Sequence, residues 1–349
     1  ASSREMIEAH NLTHCPFAAW CEICVATKSE TDQHLSVDSE KRSPLASMDY
    51  QYMSATGEEC SELQARATVL TIVDTEVPFY GALVVHKKGV YPFVTQFVAT
   101  FLDRMNAEEV RVRYDNEPSL VQLVNQVKEY RMPKHTKLEP IARAEHASAG
   151  HAERGHRTLQ AQCRAMRMDY KVRTGEDIIP GHPLFAWMLR HAAFVINCYQ
   201  PRGPKSMTAY EIRNGAPYKT PIVNFGEVVV IRVPIDPPGY RKKLDTQWLK
   251  GVWVGRTEES DSNIVLHPGG TIVGRSVRRL TPEGRVEKSL TQSLKAKVSD
   301  PVMSQAKLMK LLPMSLPIRL EGETEAIPPG AEAAESSTEQ ARVLSLIHI

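Results

Sequence analysis

The chain has 349 residues, of which 42% are hydrophobic, so it is long enough for two or three domains with their own cores. Its net charge of +2 gives no global argument for a nucleic-acid partner, and no run of about 18 apolar residues predicts a membrane span. The charge is uneven, because a basic stretch at 154–173 precedes an acidic tail from 321. The six cysteines do not form the pattern of a secreted disulfide framework, which favours a reducing compartment. The chain opens without methionine, and we expect a processed product or a fragment of a longer protein.

A cluster of histidines and cysteines lies near the start. His10 and His14 share a face if they lie on a helix, and Cys21 and Cys24 form a Cys-x2-Cys pair. Two imidazoles and two thiolates are the ligands of a tetrahedral zinc site. We therefore predict one structural zinc ion, whose binding supplies the folding energy that so small a module lacks. The alternative ligands are Cys15 and His34.

The middle of the chain predicts a mixed α/β layer, and the part after it a small all-β barrel or sandwich. Apolar runs and helical periodicity place the elements. They are strands at 45–53, 67–73 and 80–85, a helix at 91–106, a strand at 110–114, a helix at 118–130, a strand at 136–141, helices at 150–173 and 183–199, and β-type runs from 223 onward. Periodicity fades beyond residue 285, and the composition of 321–340 predicts disorder.

Three acidic residues lie on the element types that a two-metal phosphoryl-transfer site requires. Asp49 lies in the first predicted strand, Asp115 ends the fourth, and Glu153 opens a long basic helix. Such a trio can hold two divalent cations roughly 3.5–4 Å apart. Each has an ordinary interpretation as a strand end, a helix cap or the partner of Arg157. The order strand, strand, helix favours the catalytic interpretation and predicts that the three carboxylates converge at one edge of the sheet.

The helix that Glu153 opens has two unlike faces. One carries the acid followed by a basic stripe, which is suited to a phosphate backbone beside a metal site; a merely solvated charged face is the alternative. The residues of this face are Glu153, Arg157, Gln160, Arg164, Arg167 and Lys171. The opposite face is expected to pack on the sheet. Its residues are Leu159, Cys163, Met166 and Tyr170.

These motifs resemble those of the integrases of long-terminal-repeat retrotransposons, most of all the copia type, over roughly residues 5–282. The matching residues are His10, His14, Cys21 and Cys24 for the family's HHCC zinc module, and Asp49, Asp115 and Glu153 for its D,D,E triad. The segment Thr208–Glu211, followed by Asn224–Gly226, is similar to the stretch that leads into the family's C-terminal β domain.

Two positions near the triad depart from the family pattern. Ala149 stands where the family has the asparagine of Asn-Gly-x-x-Glu-Arg, and Glu117 stands where it has the glycine of Asp-Asn-Gly. These changes leave the acids in place but put turnover in question. Glu117 and Glu145 are rival acids, and Glu153 is preferred for its helical context.

The resemblance implies an RNase H-like mixed sheet core with helices, preceded by a small zinc-binding module and followed by a small all-β, SH3-like domain. The implied boundaries are 1–35 for the zinc module, 45–215 for the catalytic core, 222–285 for a DNA-binding β-barrel and 286–349 for a largely disordered acidic tail. One zinc ion and two Mg²⁺ or Mn²⁺ ions are the implied cofactors, the latter held by the triad.

The implied activity is metal-dependent 3′-end processing and strand transfer of element DNA into target DNA. The implied partners are double-stranded DNA, as element ends and target, and further copies of the chain, with no membrane. The expected DNA contacts are Arg154, Arg157, Arg164, Lys171, Arg241, Lys242 and Lys243. A nuclear location after a cytoplasmic particle stage follows, without secretion. The alternatives are an inactive, element-derived DNA-binding protein and another RNase H-fold nuclease.

Overall fold

In a computed structural model of the protein, the described residues are 4–28, 43–54, 66–141, 146–202, 206–234 and 246–312, with the side chains of 146–149 excepted. In chain order the elements are α1 (Arg4–Asn11), α2 (Glu22–Lys28), β1 (Leu45–Ser54), β2 (Arg66–Asp74), β3 (Tyr80–Val85), α3 (Pro92–Asp103), β4 (Glu109–Asp115), α4 (Pro118–Tyr130), β5 (His135–Ile141), α5 (His146–Thr174), α6 (Phe185–Tyr199), α7 (Ala209–Asn214), β6 (Val228–Arg232), β7 (Trp248–Arg256), β8 (Asn263–His267), β9 (Gly270–Gly274), β10 (Val277–Arg279), a short 3-10 helix (Pro282–Arg285), α8 (Lys288–Gln292) and α9 (Gln305–Leu311).

The first sheet has five strands in the order β3-β2-β1-β4-β5. Strand β2 runs antiparallel to both of its neighbours, whereas β4 runs parallel to β1 and to β5. Only β2 is therefore reversed, which is the arrangement of an RNase H-like fold. The predicted fold class is confirmed.

Side-chain alternation along the strands divides the core into two layers. On one face of the sheet, residues such as Met48 and Leu70 pack against α3 and α4. On the other face, residues such as Val69 and Val73 pack against α5 and α6. Because successive strand residues point to opposite faces, the predicted continuous apolar runs of β2 and β3 supply both layers at once.

Helix α5 packs on the sheet by the predicted apolar face. Leu159, Cys163, Met166 and Tyr170 are all buried, which confirms that part of the prediction. Gly155 lies at the closest approach, since a Cβ atom there would lie 2.6 Å from Cγ2 of Val73 on β2. A glycine at this turn therefore sets how near the helix comes to the sheet.

The second sheet also has five strands, in the order β10-β6-β7-β8-β9, and all its pairings are antiparallel. This is the strand order of an SH3-like domain. The sheet packs against α6, of whose 15 residues 12 are buried. Val228 and Val252 of this sheet belong to the same apolar cluster as Val69 of the first sheet. The two sheets thus share one core through α6.

The segment 286–312 differs from the largely disordered tail that was expected from residue 286. It contains α8 and α9, and Leu294, Met303 and Leu308 are buried. Met303 and Leu308 pack in the apolar cluster of the second sheet, so the apolar surface of that sheet orders a segment without clear periodicity. Residues 313–349 lie outside the described residues.

Within the described ranges, no helix combines the length and apolar character that crossing a membrane requires.

Candidate metal centres and nucleic-acid interface

The N-terminal module brings its two histidines and two cysteines together. The ligand atoms of His10, His14, Cys21 and Cys24 all lie within 4.8 Å of one another, and all four residues are buried. Nε2 of His10 lies 3.2 Å from Sγ of Cys24, and Nδ1 of His14 lies 3.7 Å from Sγ of Cys21. Helix α1 carries His10, the following turn carries His14, and α2 carries Cys24.

These distances fit one tetrahedral ion. Bonds of about 2.0–2.3 Å to nitrogen and sulfur place neighbouring ligands roughly 3.3–3.8 Å apart. Burial, followed by the charge of Lys28, lowers the pKa of His14 to about 4 and also lowers the pKa of His10. Both imidazoles are therefore neutral at pH 7, which is the form that binds a metal. The donor set is that of a zinc site.

The aromatic residues of this module do not form an apolar core for it, although Phe17 and Trp20 are its obvious candidates for one. Phe17 and Trp20 are 48% and 44% exposed, although the Trp20 ring lies against His10. Cys15 is buried instead, in a cluster with Phe194 of α6. The module gains its apolar contacts from the rest of the chain because seven- and eight-residue helices offer too little surface to each other.

Asp49 and Asp115 are brought together by the register of the first sheet. Met48 of β1 is paired with Tyr114 of β4 in parallel, so the next residue on each strand is the aspartate. The side-chain oxygen of Gln51 accepts a hydrogen bond of 2.8 Å from Gln160 of α5. Asp49 lies two residues before Gln51 on the same strand, so it faces α5 as well. Asp115 is the exposed last residue of β4.

The carboxyl group of Asp49 is strongly perturbed. Burial raises its pKa to about 6, and the negative charges of Asp115 and Glu117 act in the same direction. The backbone N–H of Tyr50, which donates to Oδ1 at 2.7 Å, and the charge of Lys88 partly oppose this rise. A buried carboxyl group beside other acids is suited to a cation, which would relieve the repulsion.

Glu153 does not join the two aspartates in a closed group. Among the described residues, the His/Cys cluster is the sole set of three or more possible ligands whose atoms meet. Glu153 lies exposed on α5, one turn before His156, whose imidazole faces the backbone of Asp49. The expected convergence of all three carboxylates is therefore not seen. Three carboxylates repel one another, so the exposed side chain of Glu153 is more stable in water, away from the two aspartates.

Glu117, one of the rival acids, lies beside the aspartates and is paired. Nζ of Lys88 lies 2.6 Å from its Oε2, and Oγ of Ser119 donates to its Oε1 at 2.5 Å. Partial burial would raise the pKa of Glu117, but these two hydrogen bonds outweigh burial and lower it. The other rival, Glu145, lies outside the described residues.

The basic residues predicted to contact DNA differ in how far they are exposed and in whether they already contact other parts of the chain. Arg154 and Arg157 are exposed in the same turns of α5 as Glu153. Arg164 donates to the carbonyl of Thr27 in the N-terminal module at 3.0 Å, and Lys171 pairs with Asp177 at 3.4 Å. Arg241, Lys242 and Lys243 lie outside the described residues.

Sequence reasoning missed three residues around these sites. Lys88 and His156 approach Asp49, and Asp169 on α5 lies 4.0 Å from His14. Lys88 follows β3 in a short basic turn, which is the one available signal. His156 and Asp169 carry no local signal, because their roles depend on which face of α5 packs against the first sheet and which against the N-terminal module.

No protein-family model matches the sequence, and neither does any curated protein. Solved structures that resemble the chain include retroviral integrases. One is a simian T-cell lymphotropic virus intasome in complex with the PP2A regulatory subunit B56 gamma, with 11% identity, a TM-score of 0.35, and coverage of 78% of this chain and 98% of that chain.

Two further structures cover about half of this chain. The catalytic core domain of HTLV-2 integrase in complex with magnesium has 13% identity, a TM-score of 0.33, and coverage of 49% of this chain and 95% of that chain. The catalytic core domain of BIV integrase has 18% identity, a TM-score of 0.31, and coverage of 48% and 92%. The class of the present protein follows from its own strand order and cluster: an RNase H-like fold with an N-terminal His₂Cys₂ site and a second, all-β sheet.

Proposed function

We propose that the chain is an integrase of the retrotransposon type, which trims the 3′ end of element DNA and joins it to target DNA. The observation that carries the proposal is the placement of Asp49 and Asp115 side by side on two parallel strands of an RNase H-like sheet, where the pairing of β1 with β4 ends. The His/Cys cluster and the second sheet favour an integrase over a simple nuclease, since small nucleases rarely have both.

The chemistry of the donors fits Mg²⁺ or Mn²⁺ at the aspartates, because both metals prefer carboxylate oxygen. Asp49 and Asp115 would hold the metal, and Glu153, whose side chain is exposed on α5 one turn before His156, is proposed as the third ligand. When bound, two such ions supply activation of the attacking oxygen and stabilisation of the leaving one. The His/Cys cluster is proposed to hold one structural Zn²⁺.

DNA would approach along the first turns of α5. Arg154 and Arg157 offer exposed positive charge beside Glu153, whereas Arg164 and Lys171 are engaged with other parts of the chain. Double-stranded DNA, further copies of the chain and a nuclear location after a particle stage belong to this proposal. The proposed functional units are the zinc module at 1–35, the catalytic core at 45–215 and the DNA-binding β domain at 222–285.

The experiment is a phosphoryl-transfer assay that needs no knowledge of the element ends. A labelled branched DNA, built as the product of strand transfer, is incubated with the protein and Mg²⁺ or Mn²⁺. Because phosphoryl transfer is reversible, an integrase reseals the target strand and releases the joined end. Asp115→Asn should lower the rate at least about 100-fold, since a metal ligand supplies several kcal/mol.

The matched control is Glu129→Gln, which changes an exposed acid on α4 and should leave the rate unchanged. Equal rates for wild type and Asp115→Asn would refute a catalytic role for the carboxylate pair. Cleavage of the branched DNA without resealing would favour a nuclease on the same fold.

A second candidate function is DNA binding without catalysis. It is favoured by Glu117, which departs from the family's glycine and draws Lys88 into an ion pair beside the aspartates. In that case the protein would retain the branched DNA in a gel-shift assay, and neither metal would give a product.

A further inference from the structure

The N-terminal module is docked on α5 of the same chain by polar contacts. Nε2 of Gln162 donates to the carbonyl of Thr13 at 2.7 Å, and its Oε1 accepts from Sγ of Cys15 at 3.3 Å. Nζ of Lys28 also donates to Oε1 of Gln162. Gln162 is 1% exposed, and both the nitrogen and the oxygen of its side-chain amide form hydrogen bonds with the module. This is an extensive polar interface for a module of about 25 residues, and a buried amide is costly unless it is satisfied.

One metal-ligating residue belongs to this interface. His14 directs Nδ1 towards Cys21, at 3.7 Å from Sγ, and Nε2 towards α5, where Oδ1 of Asp169 lies 4.0 Å away. Nε2 is buried and makes no hydrogen bond within the described structure. Asp169 is held in turn by Arg173, whose Nε lies 2.8 Å from Oδ2.

The same arginine extends the chain of contacts beyond α5. Nη2 of Arg173 donates to the carbonyl of Phe225 at 2.8 Å, just before β6 of the second sheet. The metal cluster, α5 and the start of the second sheet are therefore linked by consecutive side-chain contacts from His14 through Asp169 and Arg173.

We propose that Asp169 is a positioning residue for the metal site, and that metal binding by the His/Cys cluster stabilises α5. Ligation through Nδ1 leaves the imidazole proton of His14 on Nε2, which then faces Asp169. A carboxylate that accepts this proton fixes the orientation of the ring and increases its basicity as a ligand. The separation needs to shorten by about 1 Å to become a hydrogen bond. The inference rests on the His₂Cys₂ site and is independent of the proposed strand transfer.

The first test measures Zn²⁺ affinity by competition with a chromophoric chelator, on the full chain. Asp169→Asn should weaken binding about 10–100-fold, the usual effect of losing such a carboxylate. Asp177→Asn is the matched control, because Asp177 also accepts hydrogen bonds from basic residues of α5 but makes none with the described part of the module. Wild-type affinity in Asp169→Asn would overturn the role of Asp169, as would equal losses in both variants.

The second test uses the wild-type protein, so it holds even where Asp169→Asn fails to fold. Amide hydrogen exchange is compared between zinc-loaded and chelator-stripped protein. The amides of α5 around Gln162–Arg173 should lose at least about tenfold in protection on stripping, whereas those of α4, which lies on the other face of the sheet, should not change. Unchanged protection in α5, or an equal loss in α4, would overturn the proposed coupling. Neither result changes the interpretation of the phosphoryl-transfer assay, which tests the proposed strand transfer separately.

Discussion

At the scale of single residues, the buried carboxyl group of Asp49 in the candidate site destabilises the fold when it is ionised, and a bound proton or cation relieves that cost. Its pKa is raised to about 6 from an ordinary value of 3.8, mainly by burial. Between about pH 4 and pH 6 the folded state therefore binds more protons than the unfolded chain. The free energy of unfolding falls as the pH rises through this window, because the ionised form is disfavoured in the fold.

Asp49→Asn should stabilise the metal-free protein at pH 7.5, by about 1–3 kcal/mol. Asparagine resembles the protonated acid in shape and keeps an oxygen for the N–H of Tyr50. The measurement is the midpoint of thermal unfolding at pH 7.5 and at pH 4, and the gain should disappear at pH 4. A lower midpoint for the variant at pH 7.5 would contradict the argument.

The same variant should separate stability from cation binding. Mg²⁺ at millimolar concentration should raise the unfolding midpoint of the wild-type protein at pH 7.5, since a ligand that binds only the folded state stabilises it. In Asp49→Asn the shift should be much smaller. Equal shifts in the two proteins would place the bound Mg²⁺ elsewhere.

At the scale of elements, the packing of α5 on β2 depends on Gly155. Gly155→Ala should destabilise the protein by about 1 kcal/mol net. Overpacking costs about 1–3 kcal/mol, and the higher helix propensity of alanine offsets about 1 kcal/mol of that cost. The β-branched Val73 leaves its methyl group little freedom to move away. Chemical denaturation measures the change.

Gly150→Ala is the matched control on the same helix. Among the described residues a Cβ atom there meets nothing within 4 Å, so this substitution should stabilise the protein by up to about 1 kcal/mol. Equal effects of the two alanines would mean that the contact with Val73 is not limiting.

The strands of the first sheet and the helices that pack on it could be predicted from the sequence because their apolar periodicity is strong. The predicted strand at 80–85 and helix at 118–130 agree with β3 and α4 at both ends. Helix α7 was not predicted, although its first residues carried a family resemblance. Thr208 accepts a hydrogen bond from the N–H of Glu211, and this capping pattern is visible in the sequence.

The candidate sites could be predicted only in part. Ligands close in sequence or carried on paired strands, such as His10 and Asp49, follow from spacing and register. Glu117, Lys88 and Asp169 take their roles from contacts between distant elements, which periodicity does not encode. The side chain of Glu153 is exposed, so local packing does not fix where its carboxylate points.

At the scale of the whole molecule, the shared core predicts that the first sheet depends on the second. A chain shortened to end before residue 222 would expose the face of α6 that packs on Val228 and Val252. It should lose cooperative thermal unfolding and bind a hydrophobic dye. A chain that ends after residue 312, where the described core stops, should unfold as the full chain does. Cooperative unfolding of the shorter fragment would show that the two sheets fold independently.

Helix α6 is buried along almost its whole circumference, and even His191 lies between the rings of Phe194 and Phe225. A polar or enlarged side chain at most of its positions would have no water to turn towards and would disturb both sheets together. Random mutagenesis should therefore find this segment the least tolerant stretch of the chain, although none of its residues is proposed to touch DNA or metal.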